Sequence, residues 1–261
     1  NAWNSWAFSL NPVFHYTSVS ALVAALSDVQ DTPHSGSLGW REMFATRADF
    51  LNDSKEIEFG RVAALQHLSE HTGSLGASVC IEILNSVSSY AWHVASFTQL
   101  PDSLPLWRSY GGSASGVSVC FSAIEFSENY SCGWVEYSPY GIRHFIDDAL
   151  KILDGYFNET GKRIGDLSTT EYEMVAELVL TVLALIKHEA FSYESEFRVV
   201  NVLPKDPVNI ASQTQFRVSG SAIVPYTKLQ RQLPDGTHAP WKVLGVIAGP
   251  GVSDRQLSAV N

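Results

Sequence analysis

The chain has 261 residues, of which 45% are hydrophobic and 17% charged, a balance too apolar for intrinsic disorder and ample for a buried core. Its 27 acids against 17 bases leave a net charge of −10, which repels phosphate backbones and disfavours non-specific nucleic-acid binding. A small molecule or a protein is the expected partner.

The longest apolar stretch, Leu178 to Ile186, is far too short to span a bilayer, so no membrane association is expected. No charged segment followed by an apolar run opens the chain; a processed precursor would have lost one. Cys80, Cys120 and Cys132 show no CxxC or Cys/His ligand spacing. They read as reduced thiols of a cytoplasmic protein, and a metal site built on them is not expected.

In chain order, Val13–Ser18 reads as a strand and Ala21–Leu26 as a short helix capped by Ser18 or Ser20. Met43–Ala48 is a second strand that closes in an Asn52-Asp53-Ser54 turn. Asp53 and Glu56 resemble a capping box opening a helix through Ile57, Val62, Leu65 and Leu68. A further helix is predicted over Ser78–Tyr90, then strands over Val94–Thr98, Gly116–Ser122 and Gly133–Ser138. Between the first two of these strands lies a Pro-rich segment, 101–112, with Trp107, Arg108 and Tyr110. Ile142–Phe157 has amphipathic helical spacing, and Glu171–His188 reads as a more deeply buried helix. Strands are predicted over Phe197–Leu203, Phe216–Tyr226 and Lys242–Ala248, the last stopped by Gly249-Pro250-Gly251.

Strands and helices do not alternate one for one. The expectation is an α+β fold of mixed, largely antiparallel sheets with flanking helices, and not a doubly wound parallel sheet. One domain over residues 1–261 is expected, with 1–12 as an N-terminal arm. Trp3, Trp6 and Phe8 in that arm either dock a partner or fold back as ordinary core.

The densest segment is Tyr193-Glu194-Ser195-Glu196-Phe197-Arg198-Val199-Val200. Two carboxylates one residue apart open an apolar run, and strand alternation would put both on one face, roughly 6–7 Å apart. Such a face is either plain solvent-exposed surface or the lining of a site where paired acids have a task. Three other segments embed polar and aromatic residues in predicted strands or turns. They are Phe14-His15-Tyr16-Thr17-Ser18, the run from Ala45 to Asp53 with Arg47, and Ala95-Ser96-Phe97-Thr98 leading to Leu106-Trp107-Arg108-Ser109-Tyr110-Gly111.

Taken together and in this order, the four segments closely resemble a bacterial family catalogued as domain of unknown function 2971, from about Phe14 to Arg198. The same order resembles, more loosely, the ADP-ribosyltransferase superfold, a split β-sandwich. His15 with Thr17 looks like its His-x-Thr motif, Ser96-Phe97-Thr98 like a degenerate Ser-Thr-Ser motif, and Glu194-Ser195-Glu196 like its Glu-x-Glu motif. Phe97 departs from that pattern, because a small hydroxyl residue often stands there.

This second resemblance implies NAD as substrate and cleavage of its nicotinamide–ribose bond. Such cleavage passes through an oxocarbenium-like state that hydrogen bonds to the sugar 2-hydroxyl stabilise. Glu196 would take that role, and Glu194 would orient or deprotonate an acceptor. His15 and Thr17 would meet the adenosine ribose, and the Ser96 and Thr98 strand would add binding contacts. Arg108, or else Arg47, would meet the diphosphate. Tyr110 and Tyr16 are the aromatic candidates for the nicotinamide ring. No metal is expected, and the acceptor is an unknown protein or nucleic acid. The biological expectation by analogy is a cytoplasmic toxin or antiviral defence effector with a neutralising or regulatory protein partner.

Other accounts fit the same residues. Water as acceptor would make an NAD glycohydrolase. Asp53, Glu194 and Glu196 could hold Mg²⁺ in a nuclease, although Arg198 stands where the nuclease lysine usually follows the acid. A non-catalytic nucleotide-binding module would use the same pocket without turnover. Residue by residue, Trp107 could be core, Arg108 a partner for Asp49 or Asp53, and Arg198 a cross-sheet partner of Glu196.

Overall fold

A computed structural model describes residues 12–26, 39–51, 56–206, 212–219 and 222–252. The Asn52–Ser54 turn, the Asp53 capping box and the aromatic residues near the N-terminus lie outside the described residues.

Local chemistry accounts for the element boundaries. Strand β1 (Pro12–Thr17) gives way to α1 (Val19–Leu26) because the Ser18 hydroxyl accepts from the Ala21 N–H at 3.1 Å. The two-residue β2 (Gly39–Trp40) and β3 (Met43–Arg47) precede α2 (Glu56–Leu68). Helix α3 (Leu75–Asn85) starts three residues before the predicted Ser78, since Ser74 caps the Ala77 N–H and Asp154 accepts from the Gly76 N–H. It ends early too, and Tyr90 opens β4 (Tyr90–Thr98).

The Pro-rich segment folds into the short helix α4 (Leu104–Ser109), followed by β5 (Val117–Ser122), α5 (Ala123–Ser127) and β6 (Ser131–Trp134). Strand β6 stops short of the predicted Ser138, which instead caps α6 (Pro139–Thr160) by accepting from the Gly141 N–H. A reciprocal Ser168–Glu171 capping box opens α7 (Thr169–Ala184). That helix ends four residues before the predicted His188. The chain then forms an isolated parallel bridge, Glu136 to Ile186, and the Lys187 N–H donates to the Glu136 carbonyl at 3.1 Å.

Strand β7 (Glu196–Pro204) follows. The predicted Phe216–Tyr226 strand is an antiparallel pair, β8 (Gln215–Ser219) and β9 (Ala222–Leu229), paired from Gln215↔Tyr226 to Ser219↔Ala222. After β10 (Arg231–Gln232) and β11 (His238–Ala239), the predicted Lys242–Ala248 strand divides into β12 (Trp241–Lys242) and β13 (Gly245–Ala248). The two halves pair with different partners, β2 and β5.

The fold is α+β with antiparallel strand pairing, as expected. Strand β4 is the hub of the main sheet. One edge pairs with β7 along nine residues, Tyr90↔Pro204 to Thr98↔Glu196. The other edge forks: β1 meets it at Phe14↔Thr98, whereas β3 meets it at Thr46↔Val94 and Arg47↔His93. The order β13-β5-β1 continues one branch and β3-β9-β8 the other. Ala95, Ser96 and Phe97 lie in the gap between the branches.

Two apolar cores sit on either side of the hub. The larger packs α2, α3, α6 and α7 against Trp92 and Val200. The second joins Phe97, Phe121, Phe126, Phe197 and Trp241. Alternation assigns Trp92 and Val94 to one face of β4 and Ala95 and Phe97 to the other. Among the described residues no helix is long and apolar enough to cross a membrane.

Gly116 shows how tightly the β1 branch is packed. A Cβ there would run into the Thr17 carbonyl oxygen and lie 2.8 Å from that of Gly111. Backbone cannot yield as a side-chain tip can, so Gly116→Ala is expected to cost about 1–3 kcal/mol. The urea midpoint of unfolding reads this directly; an unchanged midpoint would show that the branch is loose.

Candidate functional site

A cavity of about 840 Å³ lies at the fork. Three neighbouring strands line it: β1 through His15, β4 through Ser96 and Thr98, and β7 through Glu196 and Arg198. The turn before β7 adds Glu194, and the segment after α7 adds Lys187.

The two acids do not share a strand face. Glu194 ends a 3-10 turn, Ser195 adopts a left-handed conformation (φ 43°, ψ 55°), and the strand begins at Glu196. A serine held at positive φ is costly and is retained only where the surroundings over-determine it. Here the Ser195 carbonyl accepts from the Gln99 N–H at 3.1 Å, and the Glu194 carbonyl accepts from the Thr98 hydroxyl at 2.6 Å. The turn brings both carboxylates to one ammonium. Lys187 Nζ stands 2.5 Å from Glu194 Oε2 and 3.2 Å from Glu196 Oε2. Sequence reasoning missed Lys187, because nothing in the spacing of residue 187 reveals where a prematurely ended helix delivers it.

Arg198 completes the cluster. Its Nε and one terminal nitrogen donate to the two Glu196 oxygens at 2.8 and 2.9 Å, and its other terminal nitrogen donates to the Ala184 carbonyl at 2.7 Å. The pair lies along one strand at i, i+2 and not across the sheet. The side chains of Lys187, Glu194, Glu196 and Arg198 are each less than a tenth exposed. Burial alone would raise the Glu196 pKa, but Arg198, Lys187 and the Ser96 hydroxyl outweigh it and hold the carboxyl down at about 2. Glu196 is therefore ionised at neutral pH.

The remaining candidates divide. Tyr110, partly exposed, donates its hydroxyl to Glu194 Oε1 at 2.9 Å. His15 Nδ1 lies 3.0 Å from the Ser96 carbonyl, which can only accept, so Nδ1 carries the proton and Nε2 is an acceptor. Burial lowers the His15 pKa and keeps the ring neutral. Its ring packs beside Phe97 and Trp40, so it reaches the fork from the second core while Glu196 faces the other side. Phe97 is core, packed on Phe121, Phe126 and Phe197, which explains an aromatic residue in the middle motif. Thr17 lines the cavity on the His15 side of β1.

Several assignments change. The Tyr16 hydroxyl donates to the Leu100 carbonyl and accepts from the Ser103 N–H, and its ring packs edge-on against Trp107. That side chain braces α4 while also lining the cavity. Thr98 likewise spends its hydroxyl on the Glu194 carbonyl and the Leu100 N–H. Neither Arg47 nor Arg108 lines the cavity. Arg47 pairs with Asp49 at 2.7 Å and lies over the Phe50 ring, and Arg108 is exposed on α4. The arginines at the cavity are Arg41, Arg198 and Arg217 instead. Trp107 is core, with its ring N–H donated to Asp102.

Fold and site together define an α+β protein with a cavity lined by charged side chains at the fork of an antiparallel sheet. Residues 106–199 match the family described as Protein of unknown function (DUF2971). The match contains Glu194, Glu196 and Arg198 and bears out the first resemblance over that segment; the His15 and Arg47 segments lie outside it. No curated protein and no solved structure matches the chain.

Proposed function

We propose that the cavity binds NAD and cleaves its nicotinamide–ribose bond, transferring ADP-ribose to a protein or nucleic-acid acceptor. The observation that carries this reading is convergence: three short motifs, far apart in sequence, line one cavity from three neighbouring strands. At about 840 Å³ the cavity is within the size range of small-molecule and cofactor sites.

Glu196, ionised and fixed by Arg198, sets negative charge beside the developing oxocarbenium and accepts from the ribose 2-hydroxyl. Arg198 is a positioning residue in this scheme. Glu194, shared between Tyr110 and Lys187, faces the acceptor. Arg217 and Arg41 replace Arg108 and Arg47 as the cations for the diphosphate. The neutral His15 accepts a ribose hydroxyl through Nε2, and Tyr110 offers its ring to the nicotinamide. Water at the acceptor position would give an NAD glycohydrolase.

Lys187 weighs against the metal-nuclease alternative. Its ammonium stands between the two carboxylates, where a bridging Mg²⁺ would have to sit. The four buried charges also balance, leaving no surplus to attract a cation. A role as toxin or defence effector with a neutralising partner extends the proposal by analogy alone.

Nicotinamide release from NAD by the purified protein tests the reading. Release is expected, with a loss of at least about 100-fold in Glu196→Gln. Because that variant removes a buried charge, Tyr110→Phe and His15→Gln are measured beside it, with circular dichroism confirming the fold. Binding of NAD without release would make the protein a binding module. A folded protein that shows no NAD binding and no release would sink the proposal.

A further inference from the structure

A second cluster of ligand-type side chains lies away from the fork. His67, in the last turn of α2, and His71, just beyond it, present their Nε2 atoms 3.3 Å apart. Asp147 of α6 reaches in between, its Oδ1 lying 2.7 Å from His67 Nε2 and 3.3 Å from His71 Nε2. We infer that His67, His71 and Asp147 form a site for one divalent transition-metal ion, Zn²⁺ by ligand chemistry, that fastens the end of α2 to α6.

Donor type and spacing both support this. Two imidazoles and a carboxylate are borderline ligands suited to Zn²⁺ and poor for Mg²⁺ or Ca²⁺. Tetrahedral Zn²⁺ with bonds near 2.0–2.1 Å sets its ligand atoms about 3.3 Å apart. Two of the three separations already have that value, and the third opens by about half an ångström from hydrogen-bond distance.

A hydrogen-bonded His–Asp–His cluster accounts for the geometry less well. Either both imidazoles aim protons at one carboxylate oxygen, or the single His67 Nε2 proton is shared between Asp147 Oδ1 and His71 Nε2. His67 Nδ1 would then be a buried lone pair, and among the described residues it has no hydrogen-bond partner. With the metal on Nε2, Nδ1 carries a proton instead. The nearest carboxylate is Glu70 Oε2, 3.8 Å away and beyond hydrogen-bond distance, so an outer partner of the kind metal-bound histidines generally have requires Glu70 to move closer.

His71 and Asp147 are 36% and 28% exposed at their side chains, so a fourth position opens to solvent. His67 also lines a cavity of about 260 Å³ shared with Tyr137, whose hydroxyl accepts from the Glu196 N–H. The site is independent of the NAD reading and stands or falls by itself.

The experiment is metal titration of the full chain after EDTA treatment and dialysis. One Zn²⁺ per chain is expected by elemental analysis, with a raised melting temperature. In His71→Gln and Asp147→Asn, binding should weaken by well over about tenfold, the loss that even an outer-shell change produces. Their melting in EDTA reports whether they fold. Cobalt substitution of the wild-type chain needs no variant, and the visible bands of four-coordinate Co²⁺ are expected. Absence of bound Zn²⁺, binding unaltered by both substitutions, or only the spectrum of hydrated Co²⁺ would each overturn the site.

Discussion

Glu196→Gln is expected to lower the free energy of unfolding by about 3–5 kcal/mol, because it strands the buried Arg198 guanidinium. In the native protein both Glu196 oxygens are occupied by Arg198, and Lys187 shares the second. An amide oxygen keeps one contact and presents an N–H to the other guanidinium nitrogen, leaving the buried Arg198 without a carboxylate while Lys187 keeps Glu194. The titration of Glu196 leads to a similar figure. A carboxyl held at about 2 against an ordinary 4.5 binds its proton more weakly when folded than when unfolded. Its contribution is present above pH 4.5 and is lost as pH falls toward 2, about 3 kcal/mol in all. Urea unfolding at neutral pH is the measurement. A double variant with Arg198→Met should recover part of the loss, since it removes the stranded charge. A loss below about 1 kcal/mol would mean that the network is well hydrated and that its buried description is wrong.

The second large effect concerns His93, fully buried on β4. Among the described residues neither ring nitrogen makes a well-formed hydrogen bond. Burial lowers its pKa first and the Arg47 charge adds to that; Asp49 and a weak pull from the Asn201 backbone are outweighed, leaving about 4 against an ordinary 6.5. The unfolded chain therefore binds the proton more readily. Stability is full above pH 6.5 and falls as pH drops toward 4, by up to about 3 kcal/mol. This window lies above that of Glu196, so acid unfolding should show two successive limbs. His93→Leu, of similar volume and with no ring to charge, should flatten the upper limb and spare the lower one. Stability curves that coincide for the two proteins between pH 6.5 and 4 would refute the assignment.

Both predictions depend on features that differ in how far the sequence announces them. The helical repeat from Ile142 to Phe157 is legible because burial of one face imposes the 3.6-residue period, and Glu171–His188 is legible as a more deeply buried helix, whose last turn is buried all round. Strand β4 was legible only from Val94, since nothing local distinguishes Tyr90–His93 from the end of a helix. Ser96 and Thr98, and Glu196 and Arg198, fall on shared faces by alternation alone. The placement of Glu194 does not follow from alternation, because one left-handed residue, Ser195, re-aims it.

Cys80 and Cys132, read from sequence as reduced thiols, are free, and burial pushes both up to about 12. That outcome needed only composition and spacing. Arg47 and Arg108 were chosen for the diphosphate because their motifs are rich in polar residues. Proximity in sequence to a motif says nothing about which side of a helix or strand meets a cavity. Arg47 is drawn off by Asp49 two residues away, a local competition that sequence could have revealed.

Sequence alone thus determined what short-range periodicity and composition can encode: an α+β chain, its main helices and strands, and an excess of acidic residues. Tertiary structure decided what long-range pairing encodes. The fork of β4 between β1 and β3 creates the cavity. The early end of α7 delivers Lys187 between two carboxylates. The crossing of α2 and α6 brings His67 and His71 to Asp147, about 80 residues away in sequence. Those three results depend on contacts whose partners are distant along the chain. No local window contains both members, so only the folded backbone could bring them together.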